Sequence, residues 1–445
     1  MMNETVGMPT YSDVQGKVTY YLSEQHKLSF IDVLSDDKQV MNQKNAIDSD
    51  INIYPIYHSY ANIGGVNRQW LWGKSGFSNT SIAHTYSSTE VSWLQARDEK
   101  LLLKNSSAEQ EWKIRNVNHW MLDAEEKFNF GFDMKYNIVN YSQFHNDYQD
   151  ALGNKTPVLV VNQLIRSPQS GIFVDYSIQL ANRLTISSGG RIDYYEYNDD
   201  VKISPRFSLT YHFTDIISLI GSYGIYYQNI AAQKSDFCKL KTPRADHYVL
   251  SFNHLLTESA KLTVELYDKE YQDFPMDSMQ PSLFLFDEAV VEGVFLDHES
   301  LVSAGKARSR GVEVTVQKKM ADNIYGLIAG SYYRSKYKGF NETWYDRVYD
   351  NKFIFTIEGG YKPNEKWEFS LRWLYAARLP DFHSLNIRVD KRYYFKSTTL
   401  TIYLSIWNAY GRKNISSYTW DEVKNKIMEE EMWGTLLVFG IKYEF

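Results

Sequence analysis

The chain is written largely in a period of two. Lys127 to Tyr136 shows it most cleanly: Phe128, Phe130, Phe132, Met134 and Tyr136 alternate with Asn129, Gly131, Asp133 and Lys135. The last ten residues repeat the pattern, with Leu437, Phe439, Ile441, Tyr443 and Phe445 set against Val438, Gly440, Lys442 and Glu444. Between Val201 and Phe213, Ile203, Phe207, Leu209, Tyr211 and Phe213 share one face, while Lys202, Ser204, Arg206, Ser208, Thr210 and His212 share the other. Alternation of this kind predicts strands with two unlike faces. The runs come in pairs, beginning with a hairpin of Gly16 to Ser23 and His26 to Leu34, and they total about nineteen strands. Two regions carry little alternation: the polar stretch from Ser35 to about Gly65, and Glu109 to Met121.

The connections segregate by length. Short ones fall at Ala181-Asn182, Thr214-Asp215, Thr257 to Ala260, Met320 to Asn323, Lys362 to Lys366 and Lys396-Ser397. Longer ones run from Asn146 to Arg166, Asn229 to Ala245, Asp273 to Lys306 and Gly411 to Met432. Short turns on one rim and long loops on the other predict an all-β fold, a transmembrane antiparallel β-barrel with periplasmic turns and extracellular loops. Many of the runs exceed the roughly 9–11 residues that cross a bilayer at a tilt, so they are expected to project beyond it.

Composition agrees with that reading. Aromatic residues make up 16% of the 445, including 35 tyrosines and 11 tryptophans, more than a soluble core requires. Mean hydropathy is negative, and no run of eighteen apolar residues exists, which excludes a helical membrane protein. The net charge of −6 is modest and no basic cluster points to nucleic acid. The single cysteine, Cys238, allows no internal disulfide framework and gives no metal-site spacing.

The N-terminal residues Met1 to Thr5 lack a basic start followed by an apolar core, so no secretion signal is read there. The expectation is one barrel domain over residues 1–445, without signal peptide or plug and truncated relative to a complete barrel. Direction supports this. Counted back from a terminal strand ending on the periplasmic side, the Gly16 strand runs downward from outside. An odd number of strands is then needed to complete an even-stranded barrel.

The ending on Phe445, with Phe439, Ile441 and Tyr443 before it, resembles the C-terminal strand of bacterial outer-membrane barrels. The resemblance implies that the barrel-assembly machinery recognises it. Other stretches resemble the barrel of TonB-dependent outer-membrane receptors: Pro9 to Lys17, Ser204-Pro205-Arg206-Phe207-Ser208-Leu209, Gly221 to Gln228, Ala307 to Val314, Leu379 to Lys391, and Asn408 to Asn414. They match in order along nearly the whole chain, each loosely. The resemblance implies a 22-stranded barrel occluded by a plug, with uptake of a scarce ligand of siderophore, cobalamin or oligosaccharide type. Its implied partners are outer-membrane lipid, the small-molecule ligand, the plug and TonB. No plug or TonB-contacting segment is read ahead of Tyr11, so the chain alone is not expected to transport actively. The alternative is a passive pore or structural barrel.

Candidate chemistry is sparse. Lys135, Asp133, Arg191, Asp193, Arg206, Glu313, Glu358, Glu368, Arg372, Arg388 and Asp390 fall on the inward set, suiting either a plug-holding lumen or a solvated wall. The outer loop from Asp273 to Lys306 carries Phe284, Phe286, Asp287, Glu288, Phe295 and Asp297, which are candidates for ligand capture because functional contacts concentrate on such loops. Its carboxylates match no known metal-loop spacing, so neither a metal nor a cofactor is expected. Asp381, His383 and Ser384 lie close together, but without a nucleophile placed on a facing strand they form no triad, and no enzyme is expected.

Overall fold

A computed structural model describes residues 9–48, 51–149, 155–156, 158–228, 240–279, 300–348, 350–377, 380–421 and 426–445. In chain order the strands are β1 (Pro9–Tyr21), β2 (His26–Val40), β3 (Ile53–Leu71), β4 (Gly76–Gln95), β5 (Leu101–Met121), β6 (Glu126–His145), β7 (Tyr148–Gln149) and β8 (Lys155–Thr156). Next come β9 (Leu159–Leu180), β10 (Leu184–Tyr195), β11 (Asp200–Thr214), β12 (Ile217–Tyr227), β13 (Arg244–Thr257), β14 (Ala260–Asp277), β15 (Leu301–Ala321) and β16 (Ile324–Lys338). The last are β17 (Trp344–Asp346), β18 (Phe353–Asn364), β19 (Trp367–Ala376), β20 (Phe382–Tyr394), β21 (Thr399–Trp407), β22 (Ile415–Asp421), β23 (Lys426–Glu431) and β24 (Leu436–Glu444). One short helix, α1 (Gln43–Asp48), lies between β2 and β3.

Twenty strands form one sheet, and every ladder is antiparallel between chain neighbours. Three short excursions interrupt the meander. β7 pairs only with β8, β22 only with β23, and the three-residue β17 lies beside the end of β16. Nineteen long strands remain in the meander, the number read from the sequence. Their turns on one rim are two to four residues long. Two of these turns place non-glycine residues at positive φ, at Ala181 and Asn182 and at Asp322 and Asn323, as tight hairpins with right-handed twist require.

Both ends of the polar stretch from Ser35 to Gly65 are strand despite their lack of alternation, with α1 between them. β2 continues through it to Val40 and β3 begins at Ile53. Here Asp36 pairs with His58 and Asp32 accepts from Asn62, on the side that carries Leu28, Phe30 and Val66 lower down. Above the bilayer both faces meet water, so the alternation disappears while the ladder continues. Strands of up to 22 residues confirm the projection beyond the membrane. The loop expected from Asn146 to Arg166 is shorter than read, because β9 starts at Leu159.

The apolar side chains are largely on the outside. Ile203, Phe207, Leu437, Phe439 and Ile441 are all exposed, while Ser204, Asp193, Glu368 and Asp390 on the opposite face are nearly buried. A wet-cored molecule with a greasy exterior is what a bilayer selects. A small apolar cluster of Met41, Ala46, Tyr54 and Ala96 packs α1 against the tops of β3 and β4. No helix among the described residues is long and apolar enough to cross a membrane; the strands do so.

Among the described residues no ladder joins β1 to β24. The two edges run in the same direction, toward the short-turn rim, because the strands between them are odd in number.

Candidate functional site

The chemistry lies on the inner wall, where alternation puts the polar half of each strand. Its centre is Arg191 on β10. Nη1 and Nη2 donate to the two carboxylate oxygens of Asp133 at 2.6 and 2.9 Å, and Nε donates to Asp193 at 2.8 Å. Asp133 belongs to β6, two strands away, and the residue between them is Gly171 of β9. A Cβ there would sit 2.2 Å from Arg191 Nη2 and 2.4 Å from Asp193 Oδ1. The missing side chain is the channel through which the guanidinium crosses.

This cluster lines a concavity of about 620 Å³ shared with Glu109, Glu111, Lys135, Arg206 and Tyr226. Lys135 meets Glu111 at 3.3 Å, and the Arg206 guanidinium lies over the Tyr226 ring at 4.8 Å. Farther round the wall is a second concavity of about 440 Å³ lined by Glu358, Arg372, Asn386, Arg388 and Trp407. Arg372 and Glu358 are 3.6 Å apart. Arg388 donates to Asp390 at 2.9 and 2.6 Å and stacks on the Tyr403 ring at 3.9 Å. Glu368 gathers the Tyr325 hydroxyl, Arg392 at 2.6 Å and Lys362 at 3.3 Å. Glu313, by contrast, stands directly opposite Glu265, so like charges adjoin there.

Of the inward residues read from the sequence, Asp133, Arg191 and Asp193 are partners of one another, as are Glu358 with Arg372 and Arg388 with Asp390; Lys135, Arg206 and Glu368 meet residues outside that set. What sequence reasoning did not find is the pairing itself. It also missed Glu111, Tyr325, Arg392 and Tyr403, which enter only because of cross-strand register. A wall of mostly paired charges offers water and polar surfaces many hydrogen-bonding groups, with the Glu265 and Glu313 carboxylates among the exceptions.

Asp381, His383 and Ser384 are each engaged elsewhere. Asp381 accepts from the Tyr375 hydroxyl at 3.0 Å, His383 Nδ1 and the Tyr410 hydroxyl are 2.6 Å apart, and Ser384 donates to Asn386 at 3.1 Å. Asn414 clamps the His383 backbone from both sides. These contacts serve the rim and assemble no triad.

The loop candidates Phe284, Phe286, Asp287, Glu288, Phe295 and Asp297 lie outside the described residues, as does Cys238. At the terminus, Phe439, Ile441 and Tyr443 point outward in one row, register-paired with Leu404, Ile402 and Leu400, and Phe445 is fully exposed.

Comparison with known proteins places this geometry. The profile described as TonB dependent receptor-like, beta-barrel matches residues 13–424. Among solved structures, the fold is similar to that of the Escherichia coli outer membrane transporter YddB, with a TM-score of 0.67 and 12% identity over 98% of this chain and 68% of that one. It is also similar to the siderophore receptor PiuA from Acinetobacter baumannii, with a TM-score of 0.70 and 10% identity over 98% and 74% of the two chains. Pseudomonas aeruginosa FpvA, in complex with an iron-loaded heterologous pyoverdine, gives a TM-score of 0.70 and 11% identity over 98% and 65%. A sequence comparison with curated proteins found no match.

Proposed function

Because the chain belongs to the TonB dependent receptor-like, beta-barrel family, we propose that it forms the wall of an outer-membrane receptor for TonB-dependent uptake of a scarce ligand. It resides in the outer membrane, with Ile203, Phe207 and Leu437 among the side chains that face lipid. The observation that carries the proposal is the lumenal wall, in which Asp133, Arg191, Asp193, Glu368, Arg388 and Asp390 are already paired. Such a wall adheres to a plug through many replaceable hydrogen bonds and leaves no buried charge stranded when the plug shifts. Ligand class stays at the level of siderophore, cobalamin or oligosaccharide, with capture by the outer loop that carries Phe284, Phe286, Asp287, Glu288, Phe295 and Asp297.

The sheet edges supply the second part of the proposal. Unpaired backbone groups in lipid cost several kcal/mol each. Direct closure of β1 on β24 would make a parallel seam, because both run the same way. We infer that an odd number of further antiparallel strands completes the barrel; about three would bring it to the 22 of the largest plugged transporters. The DNA upstream of the Met1 codon tests this. A segment encoding a signal peptide, a plug and such strands, in frame or one frameshift away, is expected. Its absence, together with large steady conductance of the purified chain in a planar bilayer, would replace the receptor reading with that of a passive pore.

A further inference from the structure

The lumenal wall changes character at the short-turn rim. Higher up its charges are mostly paired, whereas the inward positions nearest that rim on β14, β15, β18 and β20 are basic. Lys261 stands second from the short-turn end of β14, and Lys319, Lys362 and Arg392 stand third from the ends of β15, β18 and β20. Lys362 and Arg392 share one nearly buried carboxylate, that of Glu368, at 3.3 and 2.6 Å. Lys261 faces Gln317 across the ladder, and the next inward position toward the rim is Lys319, whose backbone N–H donates to Ser259. Both lysines are exposed, and neither meets a carboxylate among the described residues. The turn acids do not cancel them: Asp322 reaches Lys318 on the outward face at 3.9 Å, and Glu258 and Glu365 join no ion pair among the described residues.

The arc is wider than a small ion. Its strands follow one another in the sheet as β14, β15, β16, β18, β19 and β20. Five lateral steps of about 4.8 Å separate its ends by roughly 24 Å, so a lone phosphate or carboxylate meets two of the cations at most. An extended chain rises about 3.3 Å per residue, and roughly seven residues cover the distance. Anionic lipid is excluded by position, because the sheet itself stands between these inward side chains and the bilayer. Among the inward neighbours, Gln317, Tyr325 and Ser370 are neutral, and Asp390 is held by Arg388 at 2.9 and 2.6 Å.

We propose that this arc holds an extended, acidic stretch of polypeptide across the periplasmic mouth of the lumen, a proposal that rests on the reading of the chain as a receptor wall. Four cations against the single carboxylate of Glu368 leave the mouth electropositive, and a cleft lined by one sign of charge draws the opposite one. Lys261 and Lys319 supply most of the attraction, since their ammonium groups have no carboxylate to give up. Each contact is open to water and weak on its own, so the segment is held by several together and is released by salt.

The test uses the purified full chain in phosphatidylcholine nanodiscs and a rhodamine-labelled peptide of about seven residues, alternating glutamate and serine, with binding read by fluorescence anisotropy at low salt. The Lys261→Gln/Lys319→Gln double variant is expected to bind about three- to tenfold more weakly, from the loss of two exposed ion pairs. Lys318→Gln/Lys391→Gln removes the same charge from the outward face of β15 and β20 and is expected to bind as the unaltered chain does. Heat-modifiable gel migration confirms folding of both. Inorganic phosphate at matched ionic strength is expected not to displace the peptide, and a lysine–serine counterpart is expected not to bind. Absence of binding to the unaltered chain overturns the proposal, as does no loss in Lys261→Gln/Lys319→Gln or an equal loss in both variants. So does displacement by phosphate, which marks a small-anion site, or equal binding of the lysine counterpart. Any of these results leaves the receptor reading to the upstream DNA, which tests it independently.

Discussion

Arg191 holds Asp133 across an intervening strand, and it does so over Gly171. The same device recurs at the sheet edge, where the Tyr403 ring lies over Gly440 of β24, an added Cβ there falling 2.2 Å from the ring. In both places a long side chain spans a position that only glycine leaves open.

Gly171→Ala is therefore expected to expel the guanidinium and separate Arg191 from Asp133. The pair is partly reached by lumenal water, so the loss is put at about 1–2 kcal/mol, below the roughly 3–5 of a fully buried pair broken on one side. Gly190→Ala, on the lipid side of β10 with nothing within 4 Å, is the control and is expected to be neutral. Urea unfolding in detergent or lipid vesicles reads both. Equal behaviour of the two variants would show that the Gly171 gap does not matter.

The assignment of faces is tested on adjacent residues of β15. Val314 points to lipid near the middle of its belt, and Thr315 points to the lumen. Val314→Arg is expected to cost about 2–4 kcal/mol, the penalty of a cation at bilayer mid-depth, whereas Thr315→Arg is expected to stay near 0–1. A reversal of that order in vesicle unfolding would mean that the barrel is turned inside out.

These contrasts also show what the sequence could and could not disclose. Which residues face inward was legible, because Asp133, Arg191, Asp193 and Arg388 follow directly from a period of two. Their pairing was not. Asp133 and Arg191 meet only after three strands have been set in register, and that register depends on ladders between distant segments. The outer ends were hard to read for another reason: around Asp36 and His58 the strands stand in water on both faces, so β-structure persists without an apolar stripe. The loop proposed for ligand capture carries no repeating pattern; its two ends belong to β14, which runs to Asp277, and β15, which begins at Leu301, and its candidate residues lie outside the described residues.

At the short-turn rim, Ala181 adopts φ of 50° and Asn182 φ of 57°. Asparagine tolerates the left-handed region, but alanine is strained there. Ala181→Gly is expected to stabilise the hairpin by about 0.5–1 kcal/mol, net of the extra chain entropy of glycine. Asn182→Val is expected to destabilise it by about 1–2 kcal/mol through its branched Cβ. Refolding yield and unfolding midpoint in vesicles measure the two, and a destabilised Ala181→Gly would refute the assigned turn geometry.

The terminal residue separates recognition from packing. Phe445 is 99% exposed and sits beyond the last ladder pair, Thr399 with Glu444. Burial therefore contributes almost nothing to holding it in place, and Phe445→Ser is expected to change unfolding of the purified barrel by less than about 0.5 kcal/mol. If the outward row of Phe439, Ile441, Tyr443 and Phe445 is what the assembly machinery reads, the same variant should accumulate in the periplasm, with the heat-modifiable form in the outer membrane sharply reduced. Normal insertion of Phe445→Ser would remove the recognition role. A matching loss of stability in vitro would instead assign Phe445 a structural part, by contact with Tyr443, whose ring centroid lies 6.3 Å away.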